Sequence, residues 1–169
     1  MAVIQKKICM IGDFSVGKTS LVARYVRQSF SDKYLTTVGV KIDTKSVTLP
    51  DQREAKLVLW DIAGADRLTS ASMSYLRGAA GYLLVIDGTR RPTWDAALQL
   101  RQEVTKQIGE KPYILLLNKA DLVEQWEINE DLISSERENG ASILKTSAKL
   151  GSGVEDAFTL LTLKMLDVP

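Results

Sequence analysis

The sequence has a single cysteine, almost no net charge and no long apolar run, and each shortage removes a class of protein. One thiol, Cys9, cannot close an internal disulfide, and within a strand-like run its simplest place is a small buried side chain in a reducing compartment. A formal net charge of +1 gives no broad basic field, so neither nucleic acid nor an acidic membrane is expected as an electrostatic partner. No stretch approaches the roughly 20 apolar residues that span a bilayer. Met1-Ala2-Val3-Ile4 is too short for a leader core and is soon followed by Lys6-Lys7. Ala2 stands where myristoylation needs glycine, and Leu166-Asp167-Val168-Pro169 holds no cysteine for a prenyl group. A cytoplasmic, monomeric chain with no membrane insertion and no lipid anchor is therefore expected.

What is present fits one globular domain over residues 1–169, since 45% of the residues are hydrophobic and 25% charged. Strand-length and helix-length apolar segments alternate, the pattern of an α/β fold with helices on both faces of a mostly parallel sheet. Lys7 to Ile11 reads as a first strand. Val40 to Thr48 and Ala55 to Trp60 read as two more, and the turn-rich Leu49-Pro50-Asp51-Gln52 between them makes an antiparallel hairpin. Gly81 to Asp87 and Tyr113 to Asn118 are continuous apolar runs ending in a polar residue, as central strands do when their carboxyl ends open onto a ligand site. Ser142 to Leu144 reads as the last strand. Trp94, Ala97, Leu98, Val104 and Ile108 recur at helical spacing with Arg101 as the polar exception, and are read as core. Ser152-Gly153-Val154-Glu155 is expected to form a capping box ahead of the final helix, and Gly140 to stop the one before it. The polar stretch from Ser29 to Val38 lacks periodicity and is expected to be a mobile loop.

The richest segment lies between the first strand and the first helix. Gly12-Asp13-Phe14-Ser15-Val16-Gly17-Lys18-Thr19 has the spacing of a phosphate-binding loop. Two glycines let the backbone wrap so that successive N–H groups face phosphate oxygens, and the helix that follows adds its N-terminal partial charge. Asp13 through Ser20 are thus candidate nucleotide contacts. Lys18 would bring a full charge to the terminal phosphates, and the Thr19 hydroxyl is suited to a magnesium ion.

Base choice must come from elsewhere. Asn118-Lys119-Ala120-Asp121 ends a central strand, where the Asp121 carboxylate can accept from the ring N–H and exocyclic amino group of guanine. Adenine lacks that donor pair. Asn118 can bridge base and loops, and the Lys119 stem can cover the face of the base. Thr146-Ser147-Ala148-Lys149 follows the last strand and can present the Ala148 N–H to the guanine carbonyl. Trp60-Asp61-Ile62-Ala63-Gly64 ends the third strand, with Asp61 able to hold magnesium through water and Gly64 able to offer its N–H to the terminal phosphate.

Taken in order, these elements resemble the guanine-nucleotide boxes of a Ras-superfamily small GTPase over nearly the whole chain. Thr37-Val38-Gly39-Val40, Lys56 to Asp61 and Tyr75 to Gly81 are similar to segments that mark the Rab branch, with Lys41-Ile42 and Leu76 as departures. The resemblance implies a P-loop fold with a six-stranded sheet, one antiparallel edge hairpin, and a switch in vesicle trafficking driven by GTP and GDP with Mg2+. It also implies effector, exchange-factor and GTPase-activating partners. It gives Thr37 a role in ligating magnesium and sensing the terminal phosphate, with Thr36 the nearby alternative that Gly39 disfavours. Tyr34 would cover the phosphates and Phe30 lie against base or ribose, unless both are loop anchors. Trp60 and Tyr75 fall in segments that resemble an effector surface, and core packing reads them equally well.

Two positions depart from the family pattern. Ala65 stands where the family has the glutamine that orients attacking water, and a methyl group cannot do so. Phe14 occupies a position that is usually small, where an aromatic ring either crowds the approach to the phosphates or points outward. The sequence therefore favours slow GTP hydrolysis in which Lys18, Thr37, Gly64 and Ala65 define the reaction centre. The alternative is a module held by GTP with negligible hydrolysis. A small kinase fits less well, because the guanine motifs are coherent and no acceptor lid is evident.

Overall fold

A computed structural model describes residues 4–27, 40–63 and 68–167. The expectations for Phe30, Tyr34, Thr36, Thr37, Gly64 and Ala65, and for the loop from Ser29 to Val38, lie outside the described residues.

Six strands form one sheet in the order β2-β3-β1-β4-β5-β6. They are β1 (Ile4–Gly12), β2 (Val40–Thr48), β3 (Glu54–Ile62), β4 (Gly81–Asp87), β5 (Tyr113–Asn118) and β6 (Ile143–Lys145). β2 pairs antiparallel with β3, from Val40 opposite Ile62 to Thr48 opposite Glu54, and every other pairing is parallel. The α-helices are α1 (Lys18–Arg27), α2 (Ser70–Tyr75), α3 (Arg91–Ile108), α4 (Glu130–Glu138) and α5 (Val154–Leu166).

The two-residue period of a strand sorts β1 between two cores. Ile8 and Met10 join Leu21, Val22 and Tyr25 of α1 and Phe158, Leu161 and Met165 of α5. Cys9 and Ile11 face the other way, toward Trp94, Ala97, Leu100 and Val104 of α3 and Ile133 of α4. Helices therefore cover both faces, as the alternating pattern required. All seven residues of β4 are buried, which explains why its run shows no polar alternation. Each fully buried Leu or Ile in these layers contributes about 1.5–3 kcal/mol relative to exposure.

The edge hairpin is tied down from one side. The Lys45 ammonium of β2 lies 3.8 Å from the centre of the Tyr25 ring, donates to the Tyr25 carbonyl at 2.6 Å and pairs with Glu155 of α5 at 3.7 Å. Tyr25 itself stacks on Phe158, with ring centres 3.9 Å apart. One cation thus joins β2, α1 and α5.

Strand positions follow the sequence closely, with β3 running on to Ile62 because Asp61 and Ile62 still pair with Lys41 and Val40. The expected capping box is not formed. Gly153, not Ser152, is the N-cap of α5, and no side chain caps it. The reason is local: Gly153 has φ +72°, and a Cβ there would lie 2.3 Å from the Lys145 carbonyl oxygen. The chain must turn left-handed beside β6, which only glycine does freely, and this takes the Ser152 hydroxyl out of capping position. Gly140 does follow the end of α4, at φ +96° and with its N–H bonded to the Arg137 carbonyl.

Candidate functional site

The loop Gly12 to Gly17 crosses from the end of β1 to the start of α1, and each of its carbonyls accepts a hydrogen bond. The Lys18 ammonium donates to the Gly12 and Asp13 oxygens at 3.0 Å each. Arg90 donates to the Phe14 oxygen, Lys119 to Ser15 at 3.2 Å, and the Asn118 amide to Val16 at 3.0 Å. The Gly17 carbonyl takes the first helical bond, from Leu21 at 2.9 Å. In a trans peptide the C=O and the next N–H point in opposite directions. Holding the Phe14, Ser15 and Val16 carbonyls on one side therefore turns the Ser15, Val16 and Gly17 N–H groups to the other, as a phosphate cradle requires.

Two conformations make the wrap possible. Gly17 sits at φ +106°, with its missing Cβ replaced by the Asn118 amide nitrogen at 2.2 Å, and Ser15 sits at φ +57°. Lys18 is buried beneath the loop. Burial pushes its pKa down to about 8 against the attraction of Asp61 and Asp13, with the Arg90 charge adding to the drop. Ser20 is buried in the first turn of α1, whereas the Phe14 side chain is 61% exposed at the lip of the loop.

The base-side residues meet at the same end of the sheet. The Asn118 side-chain oxygen accepts from the Thr146 hydroxyl at 3.1 Å and the Ala148 N–H at 3.3 Å, so the Ala148 N–H is directed at Asn118. The Asp121 carboxylate accepts from the Ser147 hydroxyl at 2.8 Å and retains acceptor capacity for a ligand. Lys119 adopts φ +68° and runs back over the loop to Ser15. Lys149 is fixed through its carbonyl, which with that of Ala148 is gripped by the Arg24 guanidinium, 2.8 Å from the Ala148 oxygen.

Thr19 and Asp61 are brought together from positions 42 residues apart, the hydroxyl donating to the carboxylate. Burial raises the Asp61 pKa, opposed by the Thr19 bond and the nearby Lys18 and Lys41 charges. A hydroxyl and a carboxylate are hard oxygen donors of the kind magnesium takes when phosphate and water supply the remaining ligands. The residues present therefore fit Mg2+. Among the described residues no group of three or more His, Cys, Asp or Glu could hold a metal ion.

Sequence reasoning missed Asp87, Arg90 and Arg24. Asp87 ends β4, is 1% exposed, and gathers Thr89, Arg90 and Lys119, the last two at 2.9 Å each. Burial alone would raise its pKa, yet hydrogen bonds from Thr89, Lys119 and Arg90 together hold it below the ordinary carboxylate value. The signal available was a carboxylate closing an apolar run. Arg24 and Arg90 gave none, because the carbonyls they hold lie 124 and 76 residues away.

On β3, the Trp60 ring is half-buried, 6.0 Å from the Tyr75 ring and capped by the Lys7 ammonium at 3.6 Å. Ile42, its register partner on β2, is exposed. The two aromatic rings pack against the α3 side of the core and still reach its surface.

Among the described residues no helix is long and apolar enough to cross a membrane. Over 164 residues the chain is 35% identical to the Ras-related protein RABA4a of Arabidopsis thaliana, covering 96% of this chain and 72% of that one. It is 36% identical over 168 residues to the Ras-related protein Rab-7L1 of Rattus norvegicus, covering 95% and 82%. A third relative, the Ras-related protein Rab11A of Lotus japonicus, is 34% identical over 164 residues, with 96% and 72% covered. A sequence model of the Ras family matches residues 7–167. With that match and those relatives on a six-stranded sheet whose described loops meet through Asn118, this chain belongs to the Ras family as a Rab-like, GTP-binding small GTPase.

Proposed function

We propose that this GTP-binding switch hydrolyses GTP slowly, because Ala65 stands where a water-orienting glutamine would be, and that its output is the association of partners rather than a product. The observation that carries the ligand assignment is the position of Asn118, bonded to both Val16 of the phosphate loop and Ala148 of the base-side loop. A ligand bridging those loops has phosphates at one end and a base at the other.

In this reading Asp121 accepts the two guanine donors, the Lys119 stem covers the base, and Asn118, Ser147, Ala148 and Lys149 shape its pocket. Residues 13–20 hold the phosphates, with Lys18 neutralising developing charge. Thr19, Asp61 and Thr37 would hold Mg2+, which when bound screens phosphate charge. Thr37 and Gly64 sense the terminal phosphate, while Tyr34 and Phe30 close over the nucleotide. Loss of that phosphate frees the segments around Thr37 and Gly64, changing which effector, exchange-factor or GTPase-activating protein binds, with Trp60 and Tyr75 on the effector side. The protein works as a cytoplasmic monomer in vesicle trafficking.

The test is single-turnover hydrolysis of magnesium-GTP by the wild type and Ala65→Gln, with nucleotide identity checked before and after. A slow wild type accelerated on the order of tenfold or more by glutamine supports the reading, the gain expected from one restored hydrogen bond in the transition state. No conversion by either protein despite tight GTP binding favours the GTP-held module. Rapid wild-type turnover overturns the role given to Ala65.

A further inference from the structure

Most supports of the phosphate loop come from residues already singled out by motif, but one does not. Arg90 is the N-cap residue of α3, in the connection after β4, and its side chain caps nothing on its own helix. It turns instead toward the loop. Its Nε lies 2.9 Å from the Asp87 carboxylate, and one terminal nitrogen donates to the Phe14 carbonyl. Asp87 is buried and is itself fixed by the Thr89 N–H and hydroxyl at 2.9 and 2.6 Å. The guanidinium is thus held at one edge by a buried, hydrogen-bonded anion and spends its other edge on the loop backbone.

We propose that Arg90 is a positioning residue for the nucleotide phosphates. Anchored on Asp87, it pins the Phe14 carbonyl to the outer side of the loop and so keeps the Ser15 N–H turned inward. The argument rests on reading this end of the sheet as a nucleotide site, and the peptide geometry gives it direction. Among the described residues Arg90 is the donor to the Phe14 carbonyl, so without it that carbonyl is left to water, and Ser15, at φ +57°, already holds a backbone conformation that non-glycine residues leave readily. Rotation of that peptide would point an oxygen at phosphate. The two neighbouring carbonyls keep their own donors in Lys119 and Asn118, so the effect is confined to one peptide. Among the described residues the side-chain partners of Arg90 are Asp87 and the Phe14 carbonyl, whereas Lys119 reaches Asp87 and Ser15, which separates the two roles.

The test compares wild type with Arg90→Met, which keeps the stem, and Arg90→Lys, which keeps a charge but only a single donor nitrogen. The backbone groups of Arg90 that bond Asp87 and Thr93 are untouched in both. Release of fluorescent GDP is followed during a chase with unlabelled GDP, and GMP affinity is measured by competition. Arg90→Met is expected to release GDP about tenfold faster, the effect of losing one charge-assisted hydrogen bond, with GMP affinity changed far less. Arg90→Lys is expected to fall between the two. Equal GDP release by all three proteins overturns the inference, as does equal weakening of GMP and GDP in variants with wild-type circular dichroism and melting. Failure of the wild type itself to bind GDP overturns the nucleotide reading and this inference with it.

Discussion

The Asn118 side-chain amide bonds the Val16 carbonyl at 3.0 Å across 102 residues of sequence, and its nitrogen occupies the space a Gly17 Cβ would need. The same side chain accepts from Thr146 and Ala148 through its oxygen. Because the group is buried, each partner left unsatisfied costs about 1–3 kcal/mol. Asn118→Ala is therefore expected to lower stability by about 2–4 kcal/mol without added nucleotide. Denaturant midpoints check this, and a loss below about 0.5 kcal/mol would mean that the three bonds carry no net weight.

The start of α5 gives a paired expectation. Ser152→Ala should change stability by less than about 0.5 kcal/mol, since its hydroxyl caps nothing. Gly153→Ala should cost about 2 kcal/mol or more, combining left-handed strain with the close Lys145 carbonyl. Thermal melting of the two variants distinguishes this arrangement from the capping box, for which the order would reverse.

Asp87 predicts a pH dependence. Its folded pKa lies below the ordinary aspartate value, so the folded state binds its proton more weakly than the unfolded chain does. Its contribution is complete above the unfolded value and is lost as pH falls through the folded one. With Arg90 and Lys119 partly exposed, screening limits the loss in Asp87→Asn to about 1–2 kcal/mol at neutral pH. Urea unfolding from pH 7 downward should show the gap between wild type and variant narrowing once pH falls below the ordinary carboxylate value of about 4, where the unfolded chain takes up the proton first, and closing as folded Asp87 is protonated in turn.

Cys9 is fully buried, and that burial raises its thiol pKa to about 12. Thiolate is therefore scarce at pH 8, and the buried sulfur is out of reach of reagents. Native protein should resist iodoacetamide over hours, with full modification once unfolded in urea. Mass spectrometry reads both, and rapid native labelling would show that β1 opens.

Much of the architecture is legible because the strands that matter most are the least ambiguous. β2, β4 and β5 begin and end where their apolar pattern does, and the Asn118, Asp121 and Ser147 motifs fall at strand ends that the sheet order brings together. The misreadings share a cause. Gly153 is set by a carbonyl of β6, Arg90 by a carbonyl of the phosphate loop, and Arg24 by two carbonyls of the base-side loop. Backbone oxygens have no letter in a sequence, so a side chain whose partner is one leaves no pattern to read.

The pin that Lys45 places through β2 has a mechanical consequence. A slip of one residue along the hairpin would carry Lys45 to the opposite face and break its contacts with Tyr25 and Glu155 at once, so the register of this edge is locked. The chain enters β2 at Val40 and leaves β3 at Ile62, which are register partners. The residue that opens β2 and the one that closes β3 are therefore held opposite each other, and the pin at Lys45 fixes that end of the hairpin as firmly as its middle.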